Sequence, residues 1–322
     1  MTGWKWRFWA WPRELARCGA LGINRRNGDY VLAVNPRACY PRVDDKLQTK
    51  RICEAHGIPV PQTYAAIERH GDVRKFLDLV AGRRQFVIKP GRGSEGRGIL
   101  VVTGHDGGRF AAAGGQTLSP ADVRYHLATI LSGLYSLGGQ PDCAIVEQRI
   151  VSHPAFERIA VGGTPDVRIV VYRGVPAMAM VRLPTQGSRG RANLHQGAIA
   201  AGIHLRRGVT LGGVLHNRAV SVHPDTGATI DGLEIPFWHR LLAAAMKLAD
   251  AVELGYLGVD FVLDAAQGPV VLEANARPGL AIQIANRCGL RHRLQWIDAQ
   301  AEAMRAPDRR LELVEHLADL TG

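Results

Sequence analysis

The stretch from Gly258 to Leu280, GVDFVLDAAQGPVVLEANARPGL, most constrains the fold. Two apolar runs flank Ala265–Gly268, so the stretch reads as a β-hairpin. It carries three residues that an apolar strand does not need: Asp260, Glu273 and Asn275. Side chains alternate along a strand, so Glu273 and Asn275 share a face. A turn centred on Ala266–Gln267 sets Asp260 opposite Glu273. Like charges directly opposed in a sheet repel. A divalent cation between them removes that cost, and Mg2+ is commonly held by one or two carboxylates together with substrate phosphates. A solvated hairpin face would tolerate the same acids, so the rest of the chain has to decide.

A second motif lies upstream. GRGSEGRG contains G-x-G-x-x-G at Gly91, Gly93 and Gly96. In a dinucleotide-binding fold this pattern feeds a helix whose N-terminus holds the pyrophosphate. Here Gly98 is followed by Ile-Leu-Val-Val, a strand. The expectation is therefore a glycine-rich β-turn-β flap, whose backbone N–H groups can lie close over phosphates. Lys89 ends the preceding apolar strand QFVIKP, either reaching a phosphate or leaving a sheet edge. The sequence has no G-x-x-x-x-G-K-[ST], which excludes a P-loop.

The remaining patterns supply a scaffold. Asn24–Pro41 reads as turn-rich around one short strand. Leu47, Ile52 and Ala55 predict a short helix ended by Gly57. Residues 72–82 and 122–137 read as helices, and CAIVEQRI as a buried strand. DVRIVVYRGVPAMAMVRL reads as two strands turning at Arg173–Gly174. The longest helical pattern is 236–254, and helical sequence follows Pro278. At 322 residues the chain is long enough for a substantial core, and 46% hydrophobic against 21% charged residues is the balance of a soluble globular protein. No apolar run approaches the roughly 20 residues of a membrane span. Five scattered cysteines without a CxxC predict a reduced, cytoplasmic setting. A net charge of +11 favours an anionic partner, but no nucleic-acid module is visible. Four of six tryptophans fall in the first eleven residues among basic side chains. That composition suits peripheral contact with a membrane surface or membrane protein at the inner face; the plainer reading is a cap on the core or a contact with another subunit.

Taken in order, VDDKLQTK…GIPVP, FVIKPGRGSEGRGI, IVEQRI, DVRIVV, RANLHQG and GVDFVLD…VVLEANARPGL resemble the ATP-grasp superfamily. Within it they are similar to the RimK-like carboxylate–amine ligases and the alpha-L-glutamate ligase-like proteins. The resemblance spans about Val43 to Leu290. It implies an α+β ATP-grasp fold, two α/β subdomains clasping ATP behind a truncated N-terminal segment. The expected division is residues 1–42 for that segment, 43–145 for the subdomain with the flap, 146–300 for the subdomain with the metal site, and 301–322 for a helical tail. Lys46 and Lys89 would contact the α- and β-phosphates. Gly93, Ser94, Glu95, Gly96 and Gly98 would close over the β- and γ-phosphates, and Glu147, Gln148 and Ile150 would meet adenine and ribose. Asp260, Glu273 and Asn275 would hold two Mg2+ ions, with Mn2+ as a substitute. Arg168, Arg191 and Asn193 would face the γ-phosphate and an acyl phosphate, although Arg182 and Arg189 stand near enough in sequence to compete for that role. His195 is either an aid to deprotonating the amine or a solvated loop residue. The implied reaction joins a small-molecule or peptide carboxylate to an amine, as in amino-acid or glutamate ligation, and relatives often self-associate. The alternative reading is a non-catalytic ATP-binding regulator docked on a membrane protein.

Overall fold

The computed structural model describes residues 11–93, 96–106, 108–300 and 307–319. The expectations for Ser94, Glu95, the tryptophans among residues 1–10, and parts of the tail (301–306 and 320–322) lie outside the described residues.

Two antiparallel sheets carry the fold. The smaller contains β1 (Thr63–Ile67), β2 (Phe86–Pro90), β3 (Leu100–His105), β4 (Phe110–Ala112), β5 (Thr117–Leu118) and β6 (Ala144–Glu147), in the order β1-β6-β2-β3-β4-β5. The larger contains β7 (Asp166–Tyr172), β8 (Val175–Leu183), β9 (Ile199–His204), β10 (Val209–Leu215), β11 (Arg218–Val220), β12 (Tyr256–Asp264) and β13 (Gly268–Asn275), in the order β11-β10-β9-β8-β7-β12-β13. The longer helices are α1 (Pro12–Arg17), α2 (Lys46–Ala55), α3 (Pro120–Leu131), α4 (Trp238–Val252), α5 (Ala281–Asn286), α6 (Arg291–Asp298) and α7 (Pro307–Asp319).

Local chemistry explains several of these elements. Asp45 starts α2 by accepting from the Leu47 and Gln48 amides (2.9 and 3.2 Å), the usual service of an N-cap carboxylate. Ser119 and Asp122 form a capping box at α3. The two-residue turn Arg173–Gly174 has positive φ at both positions (48° and 77°), the conformation whose twist suits a tight hairpin. Gly98 closes the flap at φ 75°, and β2 pairs with β3 from Phe86–Val102 to Ile88–Leu100. The flap is therefore β-turn-β, as expected.

Each sheet has its own core. Ile67, Phe76, Phe86, Phe110, Leu127 and Val146 anchor the smaller one. The larger gathers β7–β9, β12 and α4 with Leu21, Tyr30, Val31, Val43 and Cys53 from the N-terminal part, and with Leu313, Val314 and Leu317 from α7. The boundary expected at residue 43 does not coincide with a division of the core, because Val43 and Cys53 pack with the large sheet.

The strand expected within Asn24–Pro41 is absent. Ile23–Val34 is helical instead, with a π-helical turn at Arg26–Val31. Its buried positions Arg26, Tyr30 and Val31 recur at helical spacing. The segment is held to the large sheet by polar contacts. Asn35 mimics a strand partner for Tyr256, donating to its carbonyl (2.8 Å) and accepting from its amide (2.7 Å). Gln283 on α5 does the same for Leu21, donating to its carbonyl (3.0 Å) and accepting from its amide (2.8 Å). The helix expected over 72–82 is shorter, a 3-10 turn at His70–Lys75 running into Phe76–Leu79.

Candidate active site

The hairpin β12–β13 sets Asp260 opposite Glu273 and Gly258 opposite Asn275. The route to that register differs from the expected one. The turn centres on Ala266, since Asp264 pairs with Gly268 and Val262 with Val270. A bulge at Leu272 then restores Asp260 to Glu273. Bulges re-aim side chains near functional sites, and this one brings Asp260, Glu273 and Asn275 onto one face. Asn275 Nδ2 donates to Glu273 Oε1 (3.2 Å).

The row continues across the sheet, because Arg168 on β7 is the other cross-strand partner of Asp260. Its Nε and Nη2 donate to the two Asp260 oxygens (2.6 and 2.5 Å), a bidentate pair. Arg182 on β8 reaches Asp260 at 3.1 Å and also pairs with Asp166. The result is a buried charge ladder. Burial pushes the Asp260 carboxyl up, but Arg168 and Arg182 outweigh it and hold it at about 2. Burial raises Asp166 to about 6 against the pull of Arg182. Burial also disfavours the charged form of Arg182, yet Asp166 and Asp260 raise it above the ordinary arginine value.

Lys46 joins this ladder to the flap. Its ammonium donates to the Gly93 carbonyl (2.6 Å) and lies 3.7 Å from Glu273. The Lys46 amide donates to the Gly91 carbonyl (3.1 Å), and the Arg92 amide donates to the Asp142 carboxylate (3.0 Å). One turn along α2, Lys50 enters a second cluster. Glu147, at the end of β6, accepts from Lys50 (2.5 Å) and Lys89 (2.6 Å). All three side chains are buried. Burial raises the Glu147 carboxyl, but Lys89 and Lys50 together hold it below the ordinary carboxylate value. Burial pulls the Lys50 ammonium down, with Glu147 opposing.

The other expected residues stand as follows. Gly96 and Gly98 carry positive φ in the flap, and His126 Nε2 donates to the Gly98 carbonyl (3.0 Å). Gln148 follows β6 directly. Its amide donates to the Gln62 carbonyl (2.8 Å), and its side-chain oxygen accepts from the Gln62 amide and from Gln267 (3.2 and 2.9 Å). Ile150 lies half-buried just beyond. Asn193 caps its own turn, accepting from the His195 amide (3.0 Å). Arg191 is exposed and donates to Gln196 (3.3 Å). The arginine that joins Arg168 at Asp260 is thus Arg182 rather than Arg191. Lys50 escaped the sequence reading although its signal was present: four residues from Lys46 on one helix, it had to face the same way.

Residues 25–299 match the family described as sugar-transfer associated ATP-grasp. The chain belongs to that family. Its fold is the α+β ATP-grasp fold, with the flap in the smaller sheet and the acidic hairpin in the larger. A probable alpha-L-glutamate ligase of Aeromonas salmonicida (strain A449) is 25% identical over 250 residues, which cover 78% of this chain and 61% of that protein. A ribosomal protein bS6–L-glutamate ligase of Salmonella paratyphi B (strain ATCC BAA-1250 / SPB7) is 25% identical over 281 residues, covering 85% and 69%. The chain thus spans about three-fifths of the length of the first of these relatives. Among solved structures, the D-cycloserine synthetase DcsG aligns with a TM-score of 0.45 at 18% identity, covering 84% of this chain and 73% of that one. D-alanine–D-alanine ligase from Bacillus anthracis aligns with a TM-score of 0.42 at 15% identity, covering 88% and 70%. No helix among the described residues is long and apolar enough to cross a membrane.

Proposed function

We propose that this ATP-grasp chain is an ATP-dependent carboxylate–amine ligase that forms an amide through an acyl phosphate. The observation that carries the reading is Lys46, whose single ammonium sits between the flap carbonyl of Gly93 and the hairpin carboxylate of Glu273. A triphosphate lying under the flap would meet that ammonium and the acidic hairpin together. In the reaction a carboxylate oxygen takes the γ-phosphoryl group from ATP and ADP leaves. The amine then attacks the acyl carbon, phosphate departs with its bonding pair, and the amine loses a proton. Phosphoryl transfer requires neutralisation of charge on the phosphoryl oxygens. In this reading Arg168 and Arg182 would supply guanidiniums for it, and Lys46 and Lys89 ammoniums.

The three oxygen donors do not suit Mg2+ equally. Glu273 and Asn275 fit, since they are partly exposed oxygen donors side by side on one face. Asp260 fits only if a guanidinium moves, because both its oxygens are taken by Arg168. The local charges also balance without a cation: Asp166, Asp260 and Glu273 against Arg168, Arg182 and Lys46. The four negative charges of ATP change that balance and offer Arg168 a second anion. In this reading Asp260, Glu273 and Asn275 would hold the Mg2+ of Mg–ATP, which would supply Lewis-acid charge stabilisation at the phosphates. Amino-acid or glutamate ligation remains the finer form of the proposal, and the relatives named as glutamate ligases support it.

ADP release that requires both a carboxylate and an amine tests the proposal. Full amide formation by a Glu273→Ala, Asn275→Ala double variant would refute it. The saturation of Asp260 by arginines favours a second reading, an ATP-binding regulator without turnover. Tight ATP binding with no ADP release on any carboxylate–amine pair would establish that reading instead.

A further inference from the structure

A cavity of about 530 Å3 lies between the N-terminal helical segment and α5, within the size range of small-molecule sites. It is not part of the charge ladder: Arg168, Arg182 and Lys46 do not line it. Its charged lining is basic. Arg26 and Arg287 contribute to it, His195 also lines it, and among the described residues no aspartate or glutamate does.

Arg26 is the unusual member. It is 6% exposed. An arginine keeps its charge in a protein, and a buried charge is costly unless it is paired. Nη1 donates to the Pro278 carbonyl (2.5 Å), and Nε has no hydrogen-bond partner. Among the described residues no carboxylate neutralises it, since the ionisable groups that act on it are Tyr256 and Arg277. Burial pushes the Tyr256 phenol up to about 12, so Tyr256 carries no charge near neutral pH, and Arg277 only adds positive charge. Arg293 shares this burial and this lack of a carboxylate. Arg26 differs in lining a cavity with room for an anionic ligand.

Other polar groups of the lining are already engaged. Gln283 accepts from the Leu21 and Leu290 amides and donates to the Leu21 carbonyl. The Cys18 thiol donates to the Glu14 carbonyl (2.8 Å), and burial pushes the Cys288 thiol up, which keeps it neutral. Recognition of a charged group therefore falls to the arginines and His195. The walls are otherwise aliphatic. Ile23, from the N-terminal segment, is 63% exposed and Ile284, from α5, 43%, so both elements present apolar surface to a ligand.

We infer that this cavity binds a small organic oxyanion, a carboxylate or phosphate ester on an apolar body, whose negative charge neutralises Arg26 and Arg287. The planar donors of a guanidinium suit either oxyanion. The site goes beyond the ligase reading, because it stands or falls on binding alone.

Calorimetry on the full-length, nucleotide-free chain compares octanoate, octyl phosphate and neutral octanamide. Hydrogen bonds to charged groups imply that one of the two anions binds at least about tenfold more tightly than octanamide, and the tighter anion names the group. Arg26→Met should abolish that preference. Arg287→Met, at an exposed position, should weaken the anion and not the amide, which keeps the inference open to refutation should Arg26→Met fail to fold. Ile284→Asp sets an acid into the lining and should weaken the anion more than the amide. In the wild-type chain a saturating anion should slow maleimide labelling of Cys18 several-fold, because that exposed thiol lines the same cavity. Equal affinity for all three ligands overturns the inference. An anion preference untouched by the arginine substitutions, or a Cys18 left unprotected, overturns it as well. Anion binding here with no ADP release on any carboxylate–amine pair supports the site and refutes the ligase; amide formation with no anion binding here does the reverse.

Discussion

Replacing Glu147 with glutamine should be among the most damaging single isosteric changes in this protein. The Glu147 carboxylate is 3% exposed and is closed by Lys50 and Lys89, at 4% and 5%. Removing the shared anion leaves two buried ammoniums facing each other. Breaking a buried ion pair in this way costs about 3–5 kcal/mol, a large part of a total stability of roughly 5–15 kcal/mol. At about 2–4 °C per kcal/mol the melting temperature should fall by roughly 6–20 °C. Urea unfolding followed by circular dichroism gives the free energy directly. The pH dependence supplies a second check. Glu147 has a depressed folded-state pKa, so its contribution is fully present above its ordinary value near 4.5 and is lost as pH falls through the folded value. Wild type should therefore lose stability on acidification below about 4.5, and Glu147→Gln should lose less over the same range. The variant should instead recover stability as pH rises and Lys50, whose ammonium burial disfavours, sheds its charge. A variant within about 1 kcal/mol of wild type at neutral pH would refute the triad as a structural element.

Further outcomes follow from the site. Arg182→Met should lower ATP turnover by about 100-fold, the usual scale for a lost charge-stabilising donor, whereas Arg191→Met should change it less than about tenfold; steady-state ADP release decides between the two arginines. Mn2+ titration followed by electron paramagnetic resonance should show only millimolar binding to the nucleotide-free chain, because Asp260 is taken by Arg168, and much tighter binding once ADP is present. Gly98→Ala should weaken ATP binding about tenfold, since the position has φ 75° and a Cβ there would sit 2.6 Å from the Tyr135 ring; fluorescent-nucleotide titration measures it. Under native conditions a thiol reagent should modify exposed Cys18 first, whereas Cys53, fully buried and pushed up to about 12 by that burial, should react only on denaturation; peptide mapping of the labelled chain reads both.

Much of the site was legible because strands obey a strict period of two. Asp260 opposite Glu273, and Asn275 beside it, followed from alternation and a turn, and the Leu272 bulge compensated for a turn centred one half-step earlier than expected. The flap was legible because Ile-Leu-Val-Val after Gly98 cannot begin the helix a dinucleotide site requires. Less legible were contacts that depend on tertiary closure. Arg182 lies two strands from Asp260, and its role emerges only when β8 is laid beside β7. The Tyr30–Val34 run has the apolar content of a strand, yet burial of Tyr30 against Tyr172 is met by helical spacing instead. Propensity over so short a run is a weak guide, and packing decides.

The joint at Gln148 has a consequence for how the two sheets are coupled. β1 enters the small sheet and β6 leaves it as paired neighbours, Thr63 beside Glu147. The chain therefore crosses between the lobes twice at nearly one point, and Gln62, Gln148 and Gln267 bind those crossings to the tip of the acidic hairpin. In mechanical terms the small lobe is an insert on a narrow double-stranded strap. Such a strap leaves the position of the flap to be fixed from outside it, by the Lys46 ammonium and amide on the Gly93 and Gly91 carbonyls and by Lys50 on Glu147.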